Sequence, residues 1–501
     1  MTVLLDGLGS GFVVALALKN ALLCFFGCLI GIGVGALPRV GPTAAVTLLL
    51  PVTYGLDPAG SLFMLAGIYY GAQYGGATTA ILANEPGEAS SVVTAIDGHQ
   101  MALKGRAGAA LGIAATASLF AGMVLTLATA LIVAPLTGMA AALRPADHVV
   151  LIAWGLVLAV VLSRDAVARS LAMILVGFLL ALTGQDPQTF EDRLTFGVSG
   201  LQNGLELAAV AAGLFVVAAV ILTLEADGNA KRKVIVAGRV LPNGMQLLRL
   251  LPAMGRGTAI GAGLGVLPGN GTVLAPFVSY RAEKRRSGGD SRFGQGAEEG
   301  VAGPEAANNA GAQAGFIPFL ILGLPTNAVM ALLIGAVLVH GIEPGPALIE
   351  KQPQIFWGLI ASMLIGNFLV MLLHLPFVGL WVRLVRVPFR LIFPALILFA
   401  CLGLYAIRSS AFEVLVAAAF GAAGYGLIKL GFSLLPLVFG FVLGGLLEGK
   451  LLFALAESGA LLDTFIDRPM TATLLLLAAF VCLMASVPAV KKWRNELFSD
   501  R

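Results

Sequence analysis

A glycine-rich segment occurs twice in the chain, and both copies run into the same Leu-Pro break. The copies are residues 27–45, GCLIGIGVGALPRVGPTAA, and residues 257–275, GTAIGAGLGVLPGNGTVLA, and 9 of their 19 aligned positions are identical. Small residues four apart lie on one helix face and allow a neighbouring backbone to approach closely. Because proline removes a backbone donor and the glycine beyond it permits positive φ, each helix is predicted to end or kink at the break.

The composition places these segments in a membrane protein. Apolar residues make up 58% of the 501 residues, charged residues make up 12%, and the mean hydropathy is +0.94. Soluble proteins carry about 25% charged residues. At about 20 residues per span, the chain has room for roughly 10 to 14 membrane segments. The net charge of +4 is small and lies mostly in loops, which favours topology signals over a nucleic-acid surface.

The breaks have a functional interpretation as well as a structural one. Inside a lipid bilayer, backbone freed at a break must be buried in protein or line a wet cavity. Two interrupted segments in corresponding halves indicate the substrate site of a transporter. The alternative is a pair of glycine-rich packing helices with proline kinks.

We therefore predict an all-α, polytopic integral membrane protein with two pseudo-repeat halves that contain interrupted or re-entrant helices. The halves are residues 1–225 and 257–501, and a basic linker at 226–256 joins them. Inverted and parallel repeats both remain open, although the likeness to other transporters favours inversion. Basic clusters flank residues 257–280 on both sides, so this segment is predicted to enter and return as a helical hairpin rather than to cross. The polar side chains within residues 61–83 are predicted to face the protein interior.

Helix N-termini at a break suit a carboxylate ligand, because they offer free N–H donors and a partial positive charge. On this basis six residues at the two Leu-Pro breaks are predicted to bind the substrate: Gly41, Pro42, Thr43, Asn270, Gly271 and Thr272. The hydroxyls of Thr43 and Thr272 have an alternative role, which is to cap their own helices.

Further candidates lie beside the other breaks of the apolar runs. Side-chain amides donate to a carboxylate or offer oxygen to a cation. The amide and hydroxyl candidates are Asn84, Asn308, Asn309, Thr326 and Asn327. Arg39 suits bidentate pairing with an anionic substrate, but a loop charge that sets topology explains it equally well. The pair Asn308-Asn309 is also compatible with an ordinary turn.

Coupling to a cation needs oxygen ligands or a titratable carboxylate. The candidates are Glu305, Asp97 and Glu85, and for each the alternative is a solvated loop carboxylate. The sequence leaves Na⁺ and H⁺ equally open as the coupling ion and indicates no other cofactor. The four cysteines and four histidines are too few and too dispersed for a metal centre.

Several stretches resemble the large membrane subunit of the tripartite tricarboxylate transporters. They are LPRVGPTAA with LLLPVTYGLDP, LAGIYYGAQYGGATTAILANEPG, VVTAIDGHQMALKGRAGAALGIAA, GVLPGNG, EGVAGPEAANNA and HGIEPGP. The resemblance covers most of the chain and is densest over residues 27–121 and 257–346. Three positions depart from the usual pattern of that family: Arg39, Glu85 and the pair Thr326-Asn327.

The resemblance implies a secondary transporter in the bacterial inner membrane. It also implies a small membrane subunit and a soluble periplasmic solute-binding protein as partners. The substrates would be carboxylates such as citrate and related di- or tricarboxylates, and an ion gradient would drive their import. The departures touch the expected pocket, so the identity of the carboxylate stays open.

Two other classes of function were weighed against this one. No Ser–His pair or His-Glu-x-x-His motif indicates an enzyme, and the phosphate-loop-like GGLLEGK at 444–450 is followed by leucine instead of serine or threonine. We therefore expect no catalytic activity and no ATP hydrolysis. A partner-independent carboxylate carrier or a channel-like subunit remains the alternative.

Overall fold

The computed structural model describes residues 2–37, 40–141, 143–163, 166–186, 188–226, 244–288 and 292–458, together with 465, 471–473 and 475–476. It is 81% helical. The strands seen in the described residues are β1 (Gly184–Gln185) and β2 (Asp192–Arg193), which pair antiparallel. The predicted all-α fold class is confirmed.

The α-helices before the central linker are α1 (Thr2–Leu16), α2 (Leu18–Gly35), α3 (Gly41–Thr53), α4 (Pro58–Ala83), α5 (Val92–Met101), α6 (Ala107–Ala141), α7 (Pro145–Val161), α8 (Val167–Ala181), α9 (Leu207–Ala211) and α10 (Ala218–Ala226). Those after it are α11 (Gly244–Gly265), α12 (Gly271–Arg286), α13 (Glu299–Ala314), α14 (Phe316–Leu322), α15 (Ala328–Val339), α16 (Pro346–Lys351), α17 (Pro353–His374), α18 (Val378–Val385), α19 (Phe389–Arg408), α20 (Phe412–Lys429) and α21 (Leu435–Ser458). Short 3₁₀ turns occur at Ala89–Ser91 and Ser199–Leu201, and π-helical turns at Ala102–Arg106 and Ala212–Val217.

Seven helical segments of the described chain are long and apolar enough to cross a membrane. They are Leu18–Gly35, Ala89–Val133, Leu207–Ala226, Pro353–His374, Arg390–Arg408, Phe412–Lys429 and Leu435–Ala456. Five shorter apolar helices accompany them, at Leu4–Leu16, Gly41–Thr53, Pro145–Val161, Val167–Ala181 and Ala328–Val339. This pattern is that of a multi-pass membrane protein.

Both Leu-Pro segments interrupt a helix, as predicted. Helix α2 ends at Gly35 and α3 begins at Gly41, while α11 ends at Gly265 and α12 begins at Gly271. Gly41 has a φ of +68° and Gly269 has a φ of +109°. Residues that carry a side chain rarely adopt these φ values, so glycine allows the chain to change direction there.

The glycines before each break bring two helices into backbone contact. A Cβ atom on three of the four glycines of α2 would overlap a carbonyl oxygen of α4, and the pairs are Gly27 with Met64, Gly31 with Ile68 and Gly35 with Ala72. The same relation joins α11 to α13, in the pairs Gly257 with Gly303, Gly261 with Ala307 and Gly265 with Gly311. Corresponding glycines of the two sequence copies therefore make corresponding contacts, at the four-residue spacing of one helix face.

The two helices that receive these contacts are buried although they carry polar groups. Every residue of α13 from Gly300 to Ala314 is buried, including Glu305, Asn308 and Asn309. In α4, the polar side chains that were predicted to face the interior are at most 2% exposed: Tyr69, Tyr70, Gln73, Tyr74, Thr78 and Thr79. This prediction is confirmed.

The second Leu-Pro segment joins α11 and α12. These two helices contact each other, and both pack against α13. An ion pair between Arg256 of α11 and Glu283 of α12, with N···O distances of 2.8 and 2.6 Å, connects them beyond the turn. Helices α11 and α12 therefore form a helical hairpin; that it enters and returns instead of crossing the membrane stays a prediction. Helix α11 begins at Gly244, so residues 244–256 of the predicted linker belong to the same helix as the second motif copy.

The glycine contacts lead to a matched pair of substitutions. Gly261→Ala places a methyl group against the Ala307 carbonyl oxygen, and overpacking of this kind costs about 1–3 kcal/mol. Gly263→Ala, on the same helix, meets nothing within 4 Å and gains up to about 1 kcal/mol of helix propensity. We expect the thermal unfolding midpoint of the detergent-solubilised protein to fall for Gly261→Ala and to hold or rise for Gly263→Ala. Equal midpoints would contradict the backbone contact.

Candidate transport site

Four interruptions of the helices build the site. Break 1 lies between Gly35 and Gly41, where residues 36, 37 and 40 are described; break 2 spans 84–88, break 3 spans 266–270 and break 4 spans 323–327. Breaks 2 and 4 have the same local course, because each starts with a left-handed residue, at Asn84 (φ 56°) and Gly323 (φ 68°). Each continues through a proline and ends in an extended residue, at Glu88 (φ −139°) and Asn327 (φ −150°).

Within each part of the chain, the two breaks are adjacent. The Gly269 amide of break 3 donates to the Thr326 carbonyl of break 4 at 2.9 Å. A Cβ atom at Gly41, which follows break 1, would lie 3.2 Å from the Gly87 carbonyl oxygen of break 2. Breaks 1 and 2 therefore meet as breaks 3 and 4 do.

Two side-chain hydrogen bonds join the two parts of the chain beside the breaks. Asn308 Nδ2 donates to Glu88 Oε1 at 3.0 Å, and Asn327 Nδ2 donates to the Tyr69 hydroxyl at 3.2 Å. Tyr69 and Asn308 hold corresponding positions in α4 and α13. Tyr69 follows Ile68, whose carbonyl contacts Gly31, and Asn308 follows Ala307, whose carbonyl contacts Gly261. Each bond thus connects a buried helix with the last residue of a break from the other part of the chain.

We call the place where the four breaks approach one another the junction. Helix α13 contributes one face to it. Asn308, Gly311 and Gly315 lie on this face at helical spacing. A Cβ atom at Gly311 would lie 3.4 Å from the Cα atom of Thr272, and one at Gly315 would lie 2.6 Å from Thr326 Oγ1. The absence of side chains at the two glycines allows Thr272 and Thr326 to approach the helix.

Several buried polar atoms at this junction have no hydrogen-bond partner among the described residues. They are Gln73 Nε2, Thr272 Oγ1, Asn308 Oδ1 and Thr326 Oγ1. Their side chains are between 1% and 9% exposed. Buried polar groups are nearly always paired, so a cluster of exceptions beside free helix N-termini indicates a place for a polar ligand.

The predicted residues of breaks 1 and 3 lie at this junction. Gly41 and Pro42 begin α3, and Gly271 begins α12. Asn270 Nδ2 donates to the Leu162 carbonyl at 3.4 Å and does not cap α12. The Thr272 hydroxyl is also unpaired, so the capping alternative does not describe it.

The other predicted residues have more varied surroundings. Thr43 is half-buried in the first turn of α3, and Arg39 lies outside the described residues. Asn84 is exposed and ends α4 in a left-handed conformation, which asparagine tolerates well. Asn327 caps α15 by accepting from the Met330 amide at 3.0 Å. Asn309 donates to Ser118 Oγ at 2.7 Å and to the Glu305 carbonyl at 3.2 Å.

The three predicted coupling carboxylates are in three different environments. Glu305 is fully buried, accepts a hydrogen bond from the Thr94 hydroxyl and receives another from Ser118 at 3.2 Å. Asp97 is fully buried as well, but four donors already surround it. Glu85 is half-buried within break 2, where its amide donates to the Thr79 carbonyl at 3.4 Å.

The contacts of Asp97 are those of a structural anchor. Its Oδ1 accepts from the amides of Gly294, Gly296 and Ala297 at 2.7–2.9 Å, and its Oδ2 accepts from the Tyr280 hydroxyl at 2.8 Å. These bonds hold the loop before α13 and occupy the oxygens that a cation would need. Asp97 therefore fits a coupling role poorly.

Sequence reasoning did not assign Glu88, Tyr69 or Gln73 to the site. A signal for Glu88 was present, because ANEPGE at 83–88 and LGLPTN at 322–327 align without a gap and place Glu88 opposite Asn327. Asn327 was already a candidate. The signal for Tyr69 and Gln73 was their position in a polar but buried helix.

A sequence model of the tripartite tricarboxylate transporter TctA family matches residues 21–439, which include all four breaks. The chain belongs to this family. Membership and the apolar helices indicate a membrane subunit of a transporter rather than an enzyme. No solved structure matches the chain.

Two similar proteins come from Agrobacterium vitis. An uncharacterised 52.8 kDa protein from the TAR-I ttuC′ 3′ region is 46% identical over 497 residues, which is 99% of both chains. An uncharacterised protein from the TAR-II ttuC′ 3′ region is 48% identical over 240 residues, which is 48% of this chain and 99% of that protein. The first comparison extends the likeness over nearly the full length.

The anchor role of Asp97 leads to a stability prediction. Asp97→Ala removes the acceptor of three backbone amides, and this loss costs about 1–3 kcal/mol at the buried Ala297 and less at the exposed Gly294 and the half-buried Gly296. Tyr280→Phe removes only one of the four donors and leaves the amides paired. We expect a large fall in the unfolding midpoint for Asp97→Ala and a small one for Tyr280→Phe. A midpoint for Asp97→Ala equal to that of the unmodified protein would refute the anchor.

Proposed function

We propose that this protein is the large membrane subunit of a secondary active transporter that imports carboxylates across the inner membrane. Citrate and related di- or tricarboxylates are the substrate class. A periplasmic solute-binding protein delivers the substrate, a small membrane subunit assembles with this chain, and a cation gradient drives import. The junction of the four breaks is the observation that carries the proposal.

The electrostatics of the junction suit an anion with more than one carboxylate. Helices α3, α12 and α15 all begin at a break, and their first N–H groups have no partner within the helix. Each N-terminus carries a partial positive charge that stabilises a carboxylate. The termini of α3 and α12 have no side-chain cap and offer two separate positions for the carboxylates of a di- or tricarboxylate, whereas Asn327 already caps α15.

The unpaired polar atoms supply donors at the same place. The hydroxyls of Thr272 and Thr326 and the amide nitrogen of Gln73 are buried and free to donate. We propose that these three groups hydrogen-bond the substrate, together with backbone amides at Gly271 and Thr272. These hydrogen bonds offset the free energy that the carboxylates lose when they give up their hydrogen bonds to water on entry.

Reconstituted transport tests the function as a whole. We expect proteoliposomes that hold this chain to accumulate a labelled di- or tricarboxylate only when the small subunit, the binding protein and one imposed gradient, Na⁺ or H⁺, are all present. Accumulation against a concentration gradient requires such coupling. Downhill flux without partners or a gradient would instead establish a partner-independent carrier or a channel-like subunit.

Single hydroxyl deletions test the site. Thr272→Val and Thr326→Val keep the side-chain shape and remove one buried donor each, so we expect KM for the carboxylate to rise by about threefold to tenfold. Thr258→Val is the matched control, because its buried hydroxyl donates to the Met254 carbonyl within α11 at 2.8 Å. Unchanged KM in both site variants, at normal expression, would exclude these donors.

A further inference from the structure

We propose that Glu88 and Asn308 form a binding site for the coupling cation, Na⁺, between the two parts of the chain. This inference rests on the proposed function, because it identifies the ion that drives import and the groups that bind it. Glu88 was not among the predicted carboxylates, and Asn308 was predicted to contact the substrate. The proposal replaces Asp97 and Glu85 as coupling groups.

The geometry supplies oxygen ligands of the kind that hard cations prefer. Glu88 Oε1 lies 3.0 Å from Asn308 Nδ2 and 3.4 Å from Ser91 Oγ. The hydrogen-bond partners of Glu88 seen among the described residues are thus neutral polar groups. The backbone around it is interrupted, and carbonyls at such unwound segments bind Na⁺ in other transporters.

The unpaired oxygen of Asn308 is the observation that separates a cation site from an ordinary hydrogen bond. Asn308 is 1% exposed, and its Oδ1 has no partner among the described residues. Oδ1 and Nδ2 belong to one planar carboxamide, whose Nδ2 lies 3.0 Å from Glu88 Oε1. A rotation of the carboxamide by about 180° exchanges the two atoms and presents an acceptor to the carboxylate. Two facing acceptors repel each other unless a cation lies between them.

The corresponding position in the other part of the chain provides an internal comparison. There Asn327 takes the place of Glu88, and both ends of its amide are paired, Oδ1 with the Met330 amide and Nδ2 with the Tyr69 hydroxyl. That contact is neutral and satisfied. Of these two contacts, only the one between Glu88 and Asn308 combines a carboxylate with an unpaired oxygen. We therefore expect a single cation site.

The position explains how cation binding couples to substrate transport. Glu88 ends break 2, while Asn308 lies one helical turn before Gly311, where Thr272 approaches α13. A cation bound by both residues connects break 2 to the helix that supports the proposed substrate donors. Its positive charge also offsets the charge of a carboxylate at the same junction.

Ion-dependent stability tests the site without any transport assay. The detergent-solubilised protein is heated in Na⁺ or in K⁺ at equal ionic strength, because a ligand that binds only the folded state raises the unfolding midpoint. We expect Na⁺ to raise the midpoint of the unmodified protein and of Glu225→Gln. Glu225 is the charge-matched control, since it pairs with Lys429 outside the site.

Glu88→Gln and Asn308→Ala are expected to weaken the apparent Na⁺ affinity by at least about tenfold. The two variants act on different ligands, so the test survives if one of them fails to fold. An equal Na⁺ response in both variants and the unmodified protein would overturn the site. A midpoint that responds to pH and not to Na⁺ would overturn it too, in favour of a proton.

Transport then separates the inference from the proposed function. Exchange of labelled for unlabelled carboxylate at equal Na⁺ on both sides needs the substrate site but no driving gradient. We expect Glu88→Gln to retain exchange and to lose Na⁺-driven accumulation. If Glu88→Gln lost both exchange and Na⁺-driven accumulation while Na⁺ still raised its unfolding midpoint as in the unmodified protein, the cation role would be overturned. No exchange by the unmodified protein with its partners would instead overturn the proposed function.

Discussion

Contact between helix backbones at the glycine stripes determines where everything else in the site lies. Because α2 meets α4 and α11 meets α13 without intervening side chains, the Leu-Pro breaks that end α2 and α11 lie beside the breaks that follow α4 and α14. A leucine or valine in place of these glycines would separate the helices by several ångströms. The polar junction would then lose the enclosure that makes its helix ends and amides effective.

The enclosure gives the junction its chemistry. Peptide groups at a break are unsatisfied wherever water is excluded, so burial makes each helix N-terminus a strong site for an anion. The same burial makes the unpaired hydroxyls of Thr272 and Thr326 costly until a ligand pairs them. A fold that brings the breaks together and buries unpaired polar atoms among them loses stability at that place, as expected of a ligand site.

Local features of the fold could be predicted from the sequence because their causes are local. Proline and glycine end α2 and α11 through their own backbone chemistry, and the polar residues of α4 had to be buried because lipid excludes them. The contacts of Glu88 and Asp97 could not be predicted in the same way. Glu88 occurs in a turn-like sequence, and its partner Asn308 is 220 residues away. In the sequence Asp97 resembles a free carboxylate, because its backbone donors come from the loop at 294–297, about 200 residues later in the chain.

We propose that the four breaks form one carboxylate site between the two parts of the chain. The most direct measurement is a cryo-electron microscopy map of the protein with its small subunit and a bound tricarboxylate. We expect ligand density between the first turns of α3 and α12, in contact with Thr272 and Thr326. Density confined to the surface cavity of about 220 Å³ lined by Glu343, Lys351 and Lys450 would contradict it.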